Sequence, residues 1–222
     1  MTSQNAVELA RRSLLGPAGL GDRDLDRALH SLLRGGVDAA DLYFQSSRHE
    51  AWSLEDGIVK EGSHSIEQGV GVRALSGEKT GFAYSDEIVV PALMQAADAA
   101  SAIARVGQHG TLQAWSARAG HELYAPLDPI PSLADDDKVA LLQRVDQATR
   151  ALDPRVKQVM ASLVAVHEVI LVCGSDGVMA ADVRPLVRMN VTVLVEENGR
   201  REQGYTGGGG RVSLQHFLDE ER

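Results

Sequence analysis

The sequence has a single cysteine, Cys173, so it cannot form an intrachain disulfide. Cys173 closes the apolar run 169–172, where a thiol usually behaves as a small buried hydrophobe. No Lys or Arg adjoins it to stabilise a thiolate, so we predict a buried thiol that reacts slowly and is not a nucleophile. Disulfides are not needed for folding, because apolar residues make up 44% of the chain and can form a full core.

Long hydrophobic runs and excess positive charge are also missing. No segment approaches 18 consecutive apolar residues, and residues 1–20 lack the basic start and hydrophobic stretch of a signal peptide. The formal net charge is −9, and aromatic residues make up only 4% of the chain. Nucleic-acid binding needs clustered basic residues or stacking rings. We therefore expect no nucleic-acid partner, no membrane partner and a cytoplasmic location.

Two regions, residues 41–86 and 156–205, show the period of two and the glycine-containing turn signals of antiparallel strands. Each follows a segment with helical spacing, at residues 22–36 and 133–152. A further helix is predicted from Pro91, whose ring fits a first helical turn, to about residue 105. These patterns predict an α+β fold with two similar helix-plus-antiparallel-meander units and with the helices packed on the sheets.

The two meanders share an order of landmarks that suggests an internal duplication. The first set is His49, Gly57, Gly77 and Gly81, and the second is His167, Gly177, Gly199 and Gly204. The boundaries that follow are residues 1–106 for the first unit, 107–131 for an irregular proline-containing connection, and 132–222 for the second unit. Together they would form one N-terminal domain. The alternative is that such turns recur by chance in a β-rich chain.

Two of the predicted helices have faces of defined character. The helix that begins at Pro91 carries Ala92, Ala96, Ala100 and Ala104 on one side, which would allow close approach to a sheet. The helix at 133–152 has Val139, Leu142, Val145 and Ala148 on its predicted buried side. Its acidic residues 135–137 would complement the helix dipole rather than bind a cation.

No metal or nucleotide motif is complete. His-Glu pairs begin at His49, His121 and His167, but none has the second histidine, four or five residues later, that a zinc-peptidase helix requires. Residues 69–74 fit a loose dinucleotide pattern, but we interpret them as a strand, because no helix follows. The run 207–210 is not a phosphate loop, since no Lys-Ser or Lys-Thr follows it. The residues themselves predict a scaffold without catalytic residues, metal ligands or a cofactor.

Six segments stand in an order that is specific as a set. They are Ala40–Gln45, Asp56–Lys60, Gly69–Arg73, Gly81–Tyr84, Leu123-Tyr124 with the nearby Pro126 and, above all, Gly204–Arg211. In these segments and their order, the chain resembles the N-terminal half of TldD/PmbA-family metallopeptidase subunits, and it is most similar to TldD. The resemblance implies a role in intracellular proteolysis and peptide maturation, a PmbA-like (TldE-like) partner subunit, and peptides or unfolded proteins as substrates.

The resemblance also implies zinc for the full-length family member. Its ligands would lie on an H-E-x-x-x-H helix, with a later cysteine, in a C-terminal domain that follows the glycine-rich stretch. This sequence stops before such a motif, so we expect a truncated N-terminal domain that is inactive alone and binds no zinc tightly. Cys173 does not correspond to the later cysteine. The alternative is a free-standing, non-enzymatic module for peptide binding or assembly.

The resemblance gives this chain the roles of substrate enclosure and subunit contact. For substrate binding, the sequence offers a strand that ends at Tyr205 and a glycine-rich loop that follows it. The candidate residues are Tyr205, Gly207, Gly208, Gly209, Gly210 and Arg211. The glycines would let a peptide backbone approach closely, and Arg211 would hold a carboxylate or a main-chain carbonyl. The same glycines would equally serve as a flexible hinge between domains.

Overall fold

The structure is a computed structural model that describes residues 3–34, 36–104, 111–118 and 123–218. Over these residues it has the predicted α+β architecture, with four α-helices and a mixed sheet of seven strands. None of the described helices is long and apolar enough to span a bilayer. The helices are α1 (Ser3–Ala10), α2 (Asp22–Leu33), α3 (Val90–Ala104) and α4 (Asp135–Leu152), and the strands are β1 (Ala39–Glu55), β2 (Ile58–Ser76), β3 (Lys79–Ser85), β4 (Ser116–Ala117), β5 (Val156–Gly174), β6 (Val178–Glu197) and β7 (Arg200–Gly210).

The strand order is β3-β2-β1-β5-β6-β4, and β7 also pairs with β6. The β2–β3 and β6–β7 pairs are antiparallel, whereas β4 runs parallel to β6. β4 lies in the segment that the sequence predicts to be irregular. It is held by hydrogen bonds from the Ser116 and Arg118 amides to the Gly177 and Met179 carbonyls, at 2.6 and 2.9 Å. Two residues are too few to produce a periodic signal in the sequence.

The hairpin turns contain four of the landmark glycines, Gly57, Gly77, Gly177 and Gly199, whereas Gly81 and Gly204 lie within β3 and β7. Gly57 and Gly199 have φ values of 75° and 78°. The residues before them, Asp56 and Asn198, also have positive φ values, 51° and 52°. Positive φ at both central positions is the requirement of a type I′ turn, whose twist matches that of the flanking strands. Gly77 and Gly177 are left-handed as well, at 56° and 77°. Each three-strand meander is therefore closed by turns that favour glycine.

The chain forms two compact units that are discontinuous in sequence. Unit 1 comprises Met1–Ser47, Glu67–Leu123 and Glu168–Val183, and unit 2 comprises Arg48–Ile66, Tyr124–His167 and Arg184–Arg222. The long strands β1, β2, β5 and β6 each contribute residues to both units. The boundaries of the sequence repeats, 1–106 and 132–222, stay a prediction.

In unit 1, helices α2 and α3 share a core with one face of the sheet. The buried strand residues in this core include Leu42, Phe44, Val70, Val72, Leu171 and Cys173. The small-residue face of α3 is confirmed, because Ala96, Ala100 and Ala104 are buried. A Cβ atom at Gly81 on β3 would lie 2.0 Å from the Ala100 carbonyl oxygen, so glycine is required for this close approach. Ala92 is only half-buried.

In unit 2, helix α4 shares a core with strand residues that include Leu54, Leu163 and Val187. Its buried residues are Lys138, Leu141, Leu142 and Asp146. The predicted buried side was therefore partly wrong, and Ala148 is exposed. The face is rotated because Lys138 and Asp146 are buried and are paired with Glu50 and Arg150. Hydrophobic periodicity does not count such charged residues as core.

Candidate functional site

The predicted substrate-binding residues lie at the end of β7 in unit 2. The strand does not end at Tyr205 and no glycine loop follows it, which corrects the prediction. Residues 207–210 continue β7 and pair in register with β6, from Asn190↔Gly207 to Val187↔Gly210. The glycine run is therefore a paired strand and not a flexible hinge.

The glycines of β7 differ in what surrounds them. A Cβ atom at Gly209 would lie 2.0 Å from the Val187 carbonyl oxygen, and one at Gly207 would lie 2.7 Å from the Met189 carbonyl oxygen. These two positions need glycine because β6 passes so close. At Gly204 and Gly208, by contrast, a Cβ atom would meet nothing within 4 Å. Substitution at these last two positions changes the surface of β7 and leaves its pairing with β6 in place.

Arg211 anchors the end of β7. One guanidinium nitrogen donates a hydrogen bond to the Pro185 carbonyl oxygen at 3.2 Å, and the guanidinium carbon lies 4.9 Å from the centre of the Tyr124 ring. A guanidinium over an aromatic face is a favourable cation–π contact. These contacts fix the direction of the side chain and favour a structural role for Arg211.

The β7 edge, defined as Arg200–Gly210, is exposed along almost its whole length. Tyr205 has 89% of its surface exposed. Only β6 pairs with β7 in the part of the chain that is described, so the opposite edge of β7 has no strand partner. An unpaired edge presents a row of amide and carbonyl groups that can bind an extended chain.

Two of the His-Glu pairs lie on strands, His49-Glu50 on β1 and His167-Glu168 on β5. In unit 2, Glu50 and His167 each belong to a polar cluster. Glu50 accepts hydrogen bonds from Lys138 Nζ at 2.6 Å and from Trp52 Nε1 at 2.9 Å. Asp135 is a second partner of Lys138, at 3.0 Å. Sequence reasoning missed this cluster, because a lone lysine near a helix start gives no sign of burial.

His167 lies in a second polar cluster of unit 2. Its Nδ1 is 3.1 Å from Nη2 of Arg48, and Arg48 forms an ion pair with Asp128. Burial lowers the pKa of His167, and the Arg48 charge lowers it further against the opposing effect of Asp128. The neutral imidazole is therefore favoured, with a guanidinium beside it.

The described residues do not fit a zinc site. Within residues 3–34, 36–104, 111–118 and 123–218, no group of three His, Cys, Asp or Glu side chains could hold a metal ion. The arginine beside His167 would repel a cation, and Glu50 is already bound to an ammonium. The pair His121-Glu122 lies outside the described residues.

A cavity in unit 1 is the feature that sequence reasoning missed most completely. It has a volume of about 360 Å3 and lies between β1, β2 and β3. Its aromatic walls are Tyr43, Phe82 and Tyr84, and its floor includes Gly69 and Gly71. The sequence signal is present in these glycines, which lie in the segment 69–74 that the sequence predicts only to be a strand.

Comparison with known proteins identifies the family. The family model described as PmbA/TldA metallopeptidase domain 1 matches residues 40–104, and the model described as the PmbA/TldA metallopeptidase central domain matches residues 128–222. The two matched segments contain both meanders. They also contain every candidate residue of the β7 edge and the walls and floor of the cavity.

Individual relatives agree with this assignment. The chain is 47% identical over 209 residues to a metalloprotease TldD homolog of Haemophilus influenzae, covering 93% of this chain and 43% of that protein. It is 39% identical over 214 residues to a metalloprotease TldD homolog of Buchnera aphidicola subsp. Acyrthosiphon pisum, covering 96% of this chain and 44% of that protein. The chain thus spans less than half the length of these curated relatives.

The fold agrees with a solved structure as well. TldE from Thermococcus kodakarensis superposes with a TM-score of 0.65 at 14% identity, covering 85% of this chain and 43% of that one. At this identity the likeness concerns the fold alone, whereas the family models and the TldD relatives rest on sequence. The chain therefore belongs to the PmbA/TldD family of metallopeptidases.

Proposed function

We propose that this chain encloses and guides the substrate of a TldD-like zinc metallopeptidase in intracellular proteolysis and peptide maturation. Its substrates would be peptides or unfolded proteins, and the metal would be held by residues outside the described part of the chain. The observation that carries the proposal is the β7 edge, which is exposed, has no strand partner in the described residues, and follows β6 in a fixed register.

An edge strand suits a peptidase of broad substrate range. Main-chain hydrogen bonds would give affinity for any extended peptide, and few side-chain contacts would be needed. The eleven residues of β7 give roughly 36 Å of edge at about 3.3 Å per residue. Gly208 adds open space where a peptide would pass closely. Because Arg211 is engaged by Pro185 and Tyr124, its part in the proposal is to anchor the strand.

The test is the pair of substitutions Gly208→Val and Gly204→Val in the full-length natural protein. Both glycines have open space around the missing Cβ atom, and valine is compatible with a strand, so neither change should disturb folding. We expect Gly208→Val to lower peptide cleavage about tenfold or more, as misplacement of a substrate by about 1 Å can cost more than that. Gly204→Val adds the same side chain to the same proposed edge, so it should lower cleavage in the same direction.

Zinc content and assembly with the second subunit must be unchanged in both variants. If Gly208→Val protein cleaves peptides at the natural rate, the β7 edge is not the substrate path. Gly209 is unsuitable for this test, because a side chain there would collide with the Val187 carbonyl.

For the partner we propose a PmbA-like (TldE-like) subunit that contacts the hairpin of unit 2 formed by residues 48–66. The β2 part of this hairpin is exposed from Ile58 to Ile66, and these two side chains have 62% and 59% of their surface accessible. Contact with a partner at this hairpin would remove the apolar surface of both side chains from water. Replacement of both isoleucines by serine should weaken co-purification with the partner and should not change cleavage per assembled complex. Normal assembly would count against the proposal.

The alternative of a free-standing binding or assembly module predicts a different result. Such a module would bind extended peptides at β7 in an organism whose genome encodes no metal-binding continuation of this chain. An in-frame H-E-x-x-x-H motif downstream of Arg222 favours the peptidase. The cytoplasmic location stays a prediction.

A further inference from the structure

We propose that the cavity between β1, β2 and β3 binds the cationic side chain of a lysine or arginine in a peptide. The inference rests on the proposed function for the idea that a peptide is the ligand, and on the cavity itself for the choice of side chain. The cavity would give the chain a site with a preference for basic side chains, separate from the β7 edge, which needs no particular sequence.

The cavity lies on the face of the unit 1 sheet opposite to α2 and α3. Side chains alternate between faces along a strand, and Leu42 and Phe44 on β1 belong to the buried core. Tyr43 on β1 lies between them and lines the cavity. Its volume of about 360 Å3 is within the range of small-ligand sites, about 300–1,000 Å3, and exceeds what one side chain requires.

Two of the three aromatic walls, Phe82 and Tyr84, are exposed although they are large. Phe82 and Tyr84 lie two residues apart on β3, with ring centres 6.4 Å apart in a stacked arrangement. They have 56% and 78% of their surface accessible. An aromatic ring that is accessible to solvent attracts a cation and also packs against the methylene groups that carry the charge.

The charges at the cavity have one sign. Glu67 and Asp86 are exposed carboxylates that line the cavity, and none of its lining residues is Lys, Arg or His. Among the described residues, no ion pair engages either carboxylate. The nearest arginine in the strand register is Arg73, the partner of Phe82 across the β2–β3 pair, and it is neutralised by Asp41 at 2.6 Å. Carboxylates and ring faces together favour a cation over an anion or a neutral polar group.

The floor explains why there is space for a side chain. Gly71 lies opposite Tyr84 in the β2–β3 register, and a Cβ atom there would lie 3.2 Å from the Phe82 ring. A Cβ atom at Gly69 would lie 2.6 Å from the Ser85 carbonyl oxygen. Side chains at these positions would fill the cavity or push its walls apart. Gly69 and Gly71 thus keep the cavity open.

The experiment titrates the full-length natural protein with three capped amino acids, followed by ligand-detected NMR. The probes are the N-acetyl N′-methylamides of lysine, arginine and norleucine, which share a backbone and differ in side-chain charge. We expect lysine and arginine to bind about three- to tenfold more tightly than norleucine, and this advantage should shrink at high salt.

Variants assign the binding to the cavity. Combined Glu67→Gln and Asp86→Asn substitutions should remove most of the lysine advantage, and Tyr84→Ala should weaken all three probes. Glu78→Gln is the matched control, because Glu78 is an exposed carboxylate in the β2–β3 turn that does not line the cavity. It should leave all three affinities within about twofold of the natural values.

Equal binding of the three probes would overturn the proposal. So would a lysine advantage that survives the double substitution, because the cation would then be bound elsewhere. Either result leaves the β7 path standing, since that path is tested by cleavage in the Gly208→Val protein. Conversely, normal cleavage by that protein together with a lysine advantage at the cavity would reject only the β7 path.

Discussion

At the scale of single residues, Cys173 behaves as its sequence neighbourhood predicts. It is buried in the unit 1 core beside Leu171, and burial raises the pKa of its thiol to about 12. Little thiolate exists near neutral pH, and reagents have no direct access. We expect a maleimide or a disulfide reagent to label native protein at least ~100-fold more slowly than urea-unfolded protein at pH 8. Similar rates in the two states would show that Cys173 is accessible.

Lys138 is a residue whose environment could not be read from the sequence. Burial lowers its pKa, but the hydrogen bonds to Glu50 and Asp135 more than offset this, so the pKa is raised and the ammonium stays charged. Removal of a buried cation leaves its partner Glu50 unpaired. Lys138→Met should therefore lower the free energy of unfolding by roughly 3 kcal/mol, measured by urea titration of the 222-residue chain.

Two further variants make this prediction specific to the pair. Lys138→Met combined with Glu50→Leu should recover much of the loss, because both charges are then replaced by apolar groups. Arg200→Gln removes a cation from an exposed pair with Glu202 and should cost less than about 1 kcal/mol. If Lys138→Met lowers the free energy of unfolding by no more than Arg200→Gln does, the buried pair contributes little to stability.

At the scale of elements, the close packing of α3 on β3 depends on one glycine. A methyl group at Gly81 would meet the backbone of α3 at Ala100, where neither partner is a flexible side chain. We expect Gly81→Ala to destabilise unit 1 by roughly 1–3 kcal/mol through overpacking. Gly204→Ala, where the added methyl group meets nothing within 4 Å, is the control and should be nearly neutral. The measurement is urea unfolding followed by circular dichroism, and equal midpoints for the two variants would refute the packing argument.

The elements show what local sequence can and cannot predict. The turns at Asp56-Gly57 and Asn198-Gly199 were predictable, because positive φ restricts the residue types that can occupy them. The continuation of β7 through residues 207–210 was not, because a glycine run lacks the side chains on which strand patterns depend. Only the partner strand reveals it, since Gly207 and Gly209 lie against the backbone of β6.

The buried side of α4 was missed for a related reason. Hydrophobic periodicity places Ala148 inside and Lys138 outside, whereas the structure has them the other way round. The decisive information is the position of Glu50 on β1, which is distant in sequence from Lys138. The residue pattern within one helix cannot predict a charged pair whose second member lies on a distant part of the chain.

At the scale of the whole molecule, the family was predictable from the sequence and the sites were predictable only in part. The motif order from Ala40 to Arg211 predicted the PmbA/TldD family, which the comparisons confirm. The cavity was not predicted, because Tyr43, Gly71 and Tyr84 come from three different strands. Their proximity follows from the β2–β3 register and from the strand order.

The central claim, that β7 receives an extended peptide, has one most direct measurement. Residue-resolved amide hydrogen exchange should be compared in the full-length natural protein with and without a peptide that carries an uncleavable isostere of the peptide bond. Pairing along the outer edge of β7 would slow exchange of alternate amides between Arg200 and Gly210, while the amides bonded to β6 are already protected. The account predicts this alternating protection. If saturating peptide leaves the β7 amides unchanged and protects another edge or none, the account is contradicted.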